Sequence, residues 1–151
     1  MIQFTYRLKG AGWAVAAIGD GQTEVTFPAS YLCDALRDFV DAVQSLFTTG
    51  SAECIWEEEP GLVCWRFNRT GDTVAVEVRW LKEERPMSFG KDDLLHFAST
   101  VDRELRNLLD EWGADRYLKE WQYPFPIEEQ QRLEQAIERE RERRKLEKQE
   151  N

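Results

Sequence analysis

The chain has 151 residues, 42% of them apolar, with six Trp, eight Phe and four Tyr; this excludes a disordered chain and suits one well-filled core better than two. Twenty basic against twenty-nine acidic side chains leave a net charge of −9, which disfavours nucleic acid and anionic lipid as partners. No run approaches the roughly 18 to 20 apolar residues of a membrane helix, and Cys33, Cys54 and Cys64 lack the number and spacing of a disulfide framework or a zinc site. A cytoplasmic protein with reduced thiols is the expectation.

Ile2, Phe4, Tyr6 and Leu8 alternate with Gln3, Thr5, Arg7 and Lys9, the period of a strand buried on one face. After a break at residues 9–12, the pattern resumes from Trp13 to Ile18 and turns through Gly19-Asp20-Gly21 into a third strand, Gln22 to Phe27. A two-residue turn would set Ile18 opposite Thr23, Ala16 opposite Val25 and Ala14 opposite Phe27. Trp13, Val15 and Ala17 then point the other way, leaving Trp13 exposed unless a bulge in the preceding loop returns it to the core.

From Ser30 to Gly50, Leu32, Ala35, Leu36, Phe39, Val40, Val43, Leu46 and Phe47 recur at spacings of three and four, which predicts an amphipathic helix. Ser30 is placed to cap it, Asp34 lies near the positive end of its dipole, and Gly50 suits a left-handed close. Three further strands follow: Ala52 to Glu58, Leu62 to Asn68 and Thr73 to Leu81. With two-residue loops at Pro60-Gly61 and Thr70-Gly71, Trp56 would face Trp65, Cys54 would face Phe67, and Phe67, Trp65 and Val63 would face Val74, Val76 and Val78. The outer face then carries Glu53, Glu57, Cys64, Arg66, Glu77 and Arg79.

Residues 82–91 read as a charged surface loop. Asp92 or Asp93 starts a second amphipathic helix running to Gly113, and a short third helix over residues 114–122 gathers Tyr117, Leu118 and Trp121. The order βββ-α-βββ-α-α predicts a two-layer α+β fold, an antiparallel sheet of about six strands in two meanders with helices on one face. Residues 1–126 form this single domain. Residues 127–151 form a C-terminal helix that docks through Leu133, Ala136 and Ile137 and protrudes, charged, beyond about residue 137.

Chemical signatures are absent from the text. His96, the only histidine, sits four residues after Asp92 without a nucleophile or metal motif beside it, and no phosphate-binding glycine pattern occurs. No catalytic, metal-binding or cofactor-binding residue is therefore expected, and the protein is not read as an enzyme. The densest acidic group, Glu57, Glu58 and Glu59 before Pro60-Gly61, is a solubilising hairpin tip or, together with Asp20 and Glu24, an acidic surface that steers a basic protein.

In size, acidity and layout, residues 1 to about 137 resemble the immunity proteins that bacteria encode beside secreted or contact-delivered toxins. Gly12-Trp13, Ser30-Tyr31-Leu32, Glu58-Glu59-Pro60-Gly61 and the series Gly113, Tyr117, Trp121, Phe125-Pro126 stand out as signposts. The resemblance implies a non-catalytic protein that binds and neutralises a basic toxin. On that reading Glu57, Glu58, Glu59, Asp20 and Glu24 meet the toxin's cations, and Trp13 or the Tyr117 and Trp121 pair supplies buried anchors. Two other classes are an accessory or regulatory subunit joined to a larger complex through the charged C-terminal helix, and a hydrolase with a Glu or Asp of raised pKa in a deep pocket.

Overall fold

The computed structural model describes residues 1–83 and 85–150. Its first sheet is the meander β1 (Gln3–Gly10), β2 (Trp13–Gly19) and β3 (Glu24–Ser30), in that spatial order. Alternation sets the buried face as expected, with Phe4, Tyr6, Leu8, Ala14, Ala16, Ile18 and Phe27 all inside. The register between β2 and β3 differs from expectation by two residues: Ile18 faces Val25, Ala16 faces Phe27 and Ala14 faces Ala29. The reason is a four-residue turn, in which one Asp20 carboxylate oxygen accepts from the main-chain N–H of Gln22 and Thr23. A shift of two restores the same face, so the core composition is unchanged. A bulge after Leu8 lets Gly10 pair with Trp13, yet Trp13 stays on the outer face with Val15 and Ala17, half-buried among its neighbours.

Helix α1 spans Ala35–Ser45, so the expected Ser30 cap and the Gly50 close are both corrected. Ser30 completes β3 and is buried, Asp34 occupies the N-cap position, and Gly50 has no left-handed backbone. Leu32 therefore lies outside the stripe and is exposed, whereas Leu36, Phe39, Val40, Val43 and Leu46 are buried.

The second sheet comprises β4 (Ser51–Glu57), β5 (Leu62–Thr70), β6 (Thr73–Trp80) and β7 (Met87–Asp93), in spatial order 4-5-6-7. Here too the registers move by two, placing Trp56 opposite Val63, Cys54 opposite Trp65, Phe67 opposite Val76 and Trp65 opposite Val78. Residues Glu58–Gly61 make a four-residue turn with a cis Glu59–Pro60 peptide, and Gly71-Asp72 makes the next turn. The stretch read as a loop over residues 82–91 contributes β7, whose pairing with β6 is interrupted by a bulge; Glu84 lies outside the described residues. Among the described residues, seven strands in two separate sheets thus replace one sheet of about six, within the predicted α+β class.

Aromatic side chains from both sheets meet directly. Phe27 of β3 contacts the rings of Trp65, Trp80 and Phe89, and Tyr6 of β1 contacts Trp56. Phe39 of α1 stacks on Phe4 at 4.7 Å and stands edge-on to Trp65 at 5.0 Å, joining the helix to both sheets. Such ring pairs add about 0.5–1.5 kcal/mol beyond the area they bury.

Helix α2 (Leu94–Trp121) packs along β1. Asp93 caps it by accepting from the N–H of Leu95 and His96, and it breaks at Gly113, whose φ of 71° interrupts the helix where the sequence placed a boundary. Helix α3 (Ile127–Glu150) lies against α1 and α2 through Gln130, Leu133, Ala136 and Ile137. It does not leave the body at residue 137. Glu140 is buried and bonded to Arg69 and Arg143, and Arg143 and Arg144 reach Asp72 at 2.9 Å and Asp93 at 2.8 Å. Among the described residues no helix is long and apolar enough to cross a membrane.

Candidate functional site

The sequence-predicted site residues do not all meet. Asp20 and Glu24 flank the turn at one end of β2 and β3, whereas Trp13 and Ser30 pair at the other end. Seven-residue strands at about 3.3 Å per residue separate those ends by roughly 20 Å. The main-chain N–H of Glu57 contacts Cys33 Sγ at 3.2 Å, in the segment that leaves the Trp13 end, so the Glu57–Glu59 turn sits far from Asp20 and Glu24. Asp20 is also committed to its own turn, whose N–H groups hold its carboxyl below the usual carboxylate range.

Tyr117 and Trp121 are completely buried and present no surface to a partner. Tyr117 packs edge-on against Phe125, and Trp121 Nε1 donates to Asp34 Oδ1 at 3.2 Å. Burial pushes the Tyr117 phenol up and also raises Asp34, with the Trp121 hydrogen bond opposing the shift at Asp34. These aromatic residues are the joint between α2 and the start of α1. Their spacing of four was a core signal.

What gathers instead is an acidic strip that the sequence analysis did not assemble. Asp34, Asp38 and Asp41 are spaced by four and three along α1 and so share one side of the helix. Across from them runs β4, with Glu53 and Glu57 on its outer face. Between the two elements lies an open groove of about 620 Å³, lined by Asp38, Asp41, Ala42 and Ser45 of α1 and by Ala52, Glu53, Cys54 and Ile55 of β4. Three of those eight residues are acidic and none is basic. At the end of the strand, Glu59 is exposed and Glu58 folds back so closely on Gly61 that a side chain there would collide with its carboxylate.

Electrostatics set this groove apart. Burial raises the Asp41 carboxyl, and the nearby Glu129 charge raises it further. Burial also pushes up the thiols of Cys54 and Cys33, with Asp38 adding to both shifts, which disfavours a nucleophilic thiolate at this site. Arg37 reaches Asp38 at 3.6 Å and Arg66 reaches Glu53 at 3.4 Å, both as solvent-exposed pairs of the kind that contribute about 0–1 kcal/mol. A second hollow of about 470 Å³ between α2 and α3 is balanced in sign. There Arg106 pairs with Asp102 at 3.0 Å and Glu134 at 3.2 Å, and Arg141 pairs with Glu138 at 2.7 Å.

His96 Nδ1 lies 2.7 Å from Asp92 Oδ2, and neither residue lines either hollow. Among the described residues no group of three His, Cys, Asp or Glu side chains is arranged to hold a metal ion. The fold and this strip define an α+β protein with an acidic groove beside an open sheet edge. No protein-family model, curated protein or solved structure matches the chain.

Proposed function

We propose that this chain is a protein-binding protein without catalytic function, of the kind that neutralises a basic toxin, and that its docking surface is the acidic strip of α1, β4 and the Glu57–Glu59 turn. The observation that carries the reading is the groove between α1 and β4, whose lining holds Asp38, Asp41 and Glu53 and no cation. A basic partner gains from that field during approach and from charge-assisted contacts once docked. The net charge of −9 acts in the same direction over longer range.

The test is coexpression with the product of the adjoining reading frame. On this reading that product alone arrests growth, and growth returns when this chain is supplied. Reversal of Glu57, Glu58 and Glu59 to lysine slows association and flattens its dependence on salt. A neighbouring product that is harmless, or one whose toxicity persists, overturns the reading. An accessory subunit joined through the C-terminal helix is the alternative, and the use of Arg143 and Arg144 within the chain weighs against it. Removing residues 145–151, past those ion pairs, leaves partner binding intact for a toxin binder and abolishes it for such a subunit.

A further inference from the structure

The two sheets have four outer edges, and three of them are closed. Along β1, residues 2, 4, 6 and 8 turn their main-chain groups away from β2, and two of them are met by carboxylates: the N–H of Ile2 donates to Asp92, at the end of β7, at 2.9 Å and that of Tyr6 donates to Glu104 of α2 at 3.1 Å. On β3 the outward residues include Pro28, which has no N–H to offer. The pairing of β7 with β6 is bulged and includes Gly90 at a φ of 80°. Covering, proline and bulging are the usual ways of keeping a strand edge from pairing.

The β4 edge carries none of them. At the two ends of β4 the Gly50 carbonyl accepts from the Arg69 N–H and the Glu58 N–H donates to the Gly61 carbonyl, so the even-numbered residues of β4 face β5 and the odd-numbered ones face outward. Two contacts corroborate this parity: the Ser51 carbonyl accepts from Thr49 Oγ1 at 3.0 Å, and the Glu57 N–H meets Cys33 Sγ. Between these capped ends, the N–H and C=O groups of Glu53 and Ile55 have no partner among the described residues. The strand is regular and free of Pro and Lys, and Ile55 is 52% exposed beside them.

We propose that the free edge of β4 takes up an extended, Lys- or Arg-bearing segment of a partner protein as an added strand, seated beside α1. An added strand lies about 4.8 Å from β4, and every second residue of it bonds to Glu53 and Ile55. Its side chains alternate between the α1 side, where Asp38 and Asp41 receive cations, and the outer face beside Ile55 and Glu53. A second copy of this chain is the wrong occupant, because edge-to-edge pairing would bring two acidic strips together. The proposal rests on the reading of this chain as a binder of a basic protein, and it adds the mode of binding.

The probe is a ten-residue peptide of alternating Lys and Val, with three relatives: Glu replacing Lys, N-methylation at every Lys, and N-methylation at every Val. The Lys peptide is expected to bind and to slow amide exchange at Glu53 and Ile55 at least tenfold, with Tyr6 unchanged. The Glu peptide fails. One N-methylated isomer loses more than tenfold in affinity while the other binds, because only one set of amides faces β4. Reversing Asp38 and Asp41 to Lys weakens binding more than tenfold, as does Ile55→Pro, which removes an outward N–H. The ligand-side isomers keep the test decisive if Ile55→Pro folds poorly.

Equal binding of both isomers, binding of the Glu peptide, or no binding at all overturns the proposal, as does sedimentation showing a dimer that Ile55→Pro dissolves. If the Lys peptide fails while the chain still neutralises the neighbouring toxin through Glu57–Glu59, strand addition alone is lost. If the peptide binds as expected and no toxin is neutralised, the edge site stands and the toxin reading falls.

Discussion

Strands β1 and β4 are both outer strands of a meander, and both have acidic side chains beside their free edge, yet the two edges are finished differently. At β1 the carboxylates of Asp92 and Glu104 accept from the strand's own main chain, and Leu105 and Leu108 of α2 close over Phe4 and Tyr6. At β4 the carboxylates of Asp38 and Asp41 stand across a groove from the strand and bond to none of its amides. The same functional group closes one edge and leaves the other advertised. The difference lies in reach: α2 packs along β1 so that Glu104 arrives at the Tyr6 amide, and the end of β7 brings Asp92 to that of Ile2, whereas α1 packs beside β4 with a gap between them.

The largest effect comes from breaking the closed edge. Leu105 is buried, so Leu105→Ala is expected to lower stability by about 2–5 kcal/mol in urea unfolding, whereas Ile55→Ala on the open edge stays within about 0.5 kcal/mol. Equal losses would mean that β4 is covered as β1 is. A step smaller, Glu104→Ala leaves the part-buried N–H of Tyr6 without an acceptor and is expected to cost about 1–3 kcal/mol, with faster amide exchange at Tyr6. Glu104→Gln, which keeps an acceptor, recovers most of that loss. Glu53→Ala, whose carboxylate meets only Arg66 on the surface, stays within about 0.5 kcal/mol.

The sequence reported faces better than registers, for a physical reason. Alternation carries a period of two, so it identified Trp56, Trp65, Phe67 and Val76 as core even though every hairpin pairing was displaced by two. Turn length decides register, and composition does not display what the turns rest on: carboxylate bonds at Asp20 and, at Glu58 with its cis Glu59–Pro60 peptide, a main-chain bond to Gly61. Strand β7 escaped notice because Met87–Asp93 has only Phe89 as a buried side chain. The docking of α3 beyond Ile137 escaped for the opposite reason: Arg143 and Arg144 find their partners on other elements, at Asp72 and Asp93, and no local pattern announces that. At the candidate site the Glu57–Glu59 cluster was legible as a run. The strip of Asp34, Asp38 and Asp41 was visible only as the polar side of a helix, because the edge it faces exists only in three dimensions.

Acid separates the groove from the α3 clamp. Asp34 and Asp41 are raised by burial, so they penalise folding when charged, and that penalty disappears as pH falls through their raised values, above about 4. Burial pushes Asp93 and Glu140 upward, but Arg144 with the N–H groups of His96 and Leu95 on the first, and Arg143 with Arg69 and Arg144 on the second, together outweigh it and hold both carboxyls low. Groups held low contribute stability that is present above about 4 and is lost as pH falls through their depressed values. Titration from pH 7 is therefore expected to remove negative charge from the groove first and to release the end of α3 second. Residue-resolved NMR checks the order. Loss of α3 contacts before Asp41 protonates would contradict it.

The smallest effect involves no substitution and no change in stability. Amide exchange reads the edges directly, since an N–H bonded within the sheet exchanges only when the structure opens, while an outward, unpaired one exchanges from the folded state. Cys54 and Trp56 are expected to exchange with global unfolding. Glu53 and Ile55, one residue away in the same strand, are expected to exchange near the unprotected rate. On β1 the outward amide of Tyr6 is held by Glu104, so it is expected to be slow despite facing away from its sheet. Tyr6 is buried and Ile55 is exposed, so Glu104→Ala separates the finishing of the edge from burial: it removes the acceptor of the Tyr6 N–H while the Tyr6 ring stays in the core. Slow exchange at Glu53 and Ile55 in the free protein would show that α1 already closes the β4 edge, and the open strand on which the added-strand proposal depends would be gone.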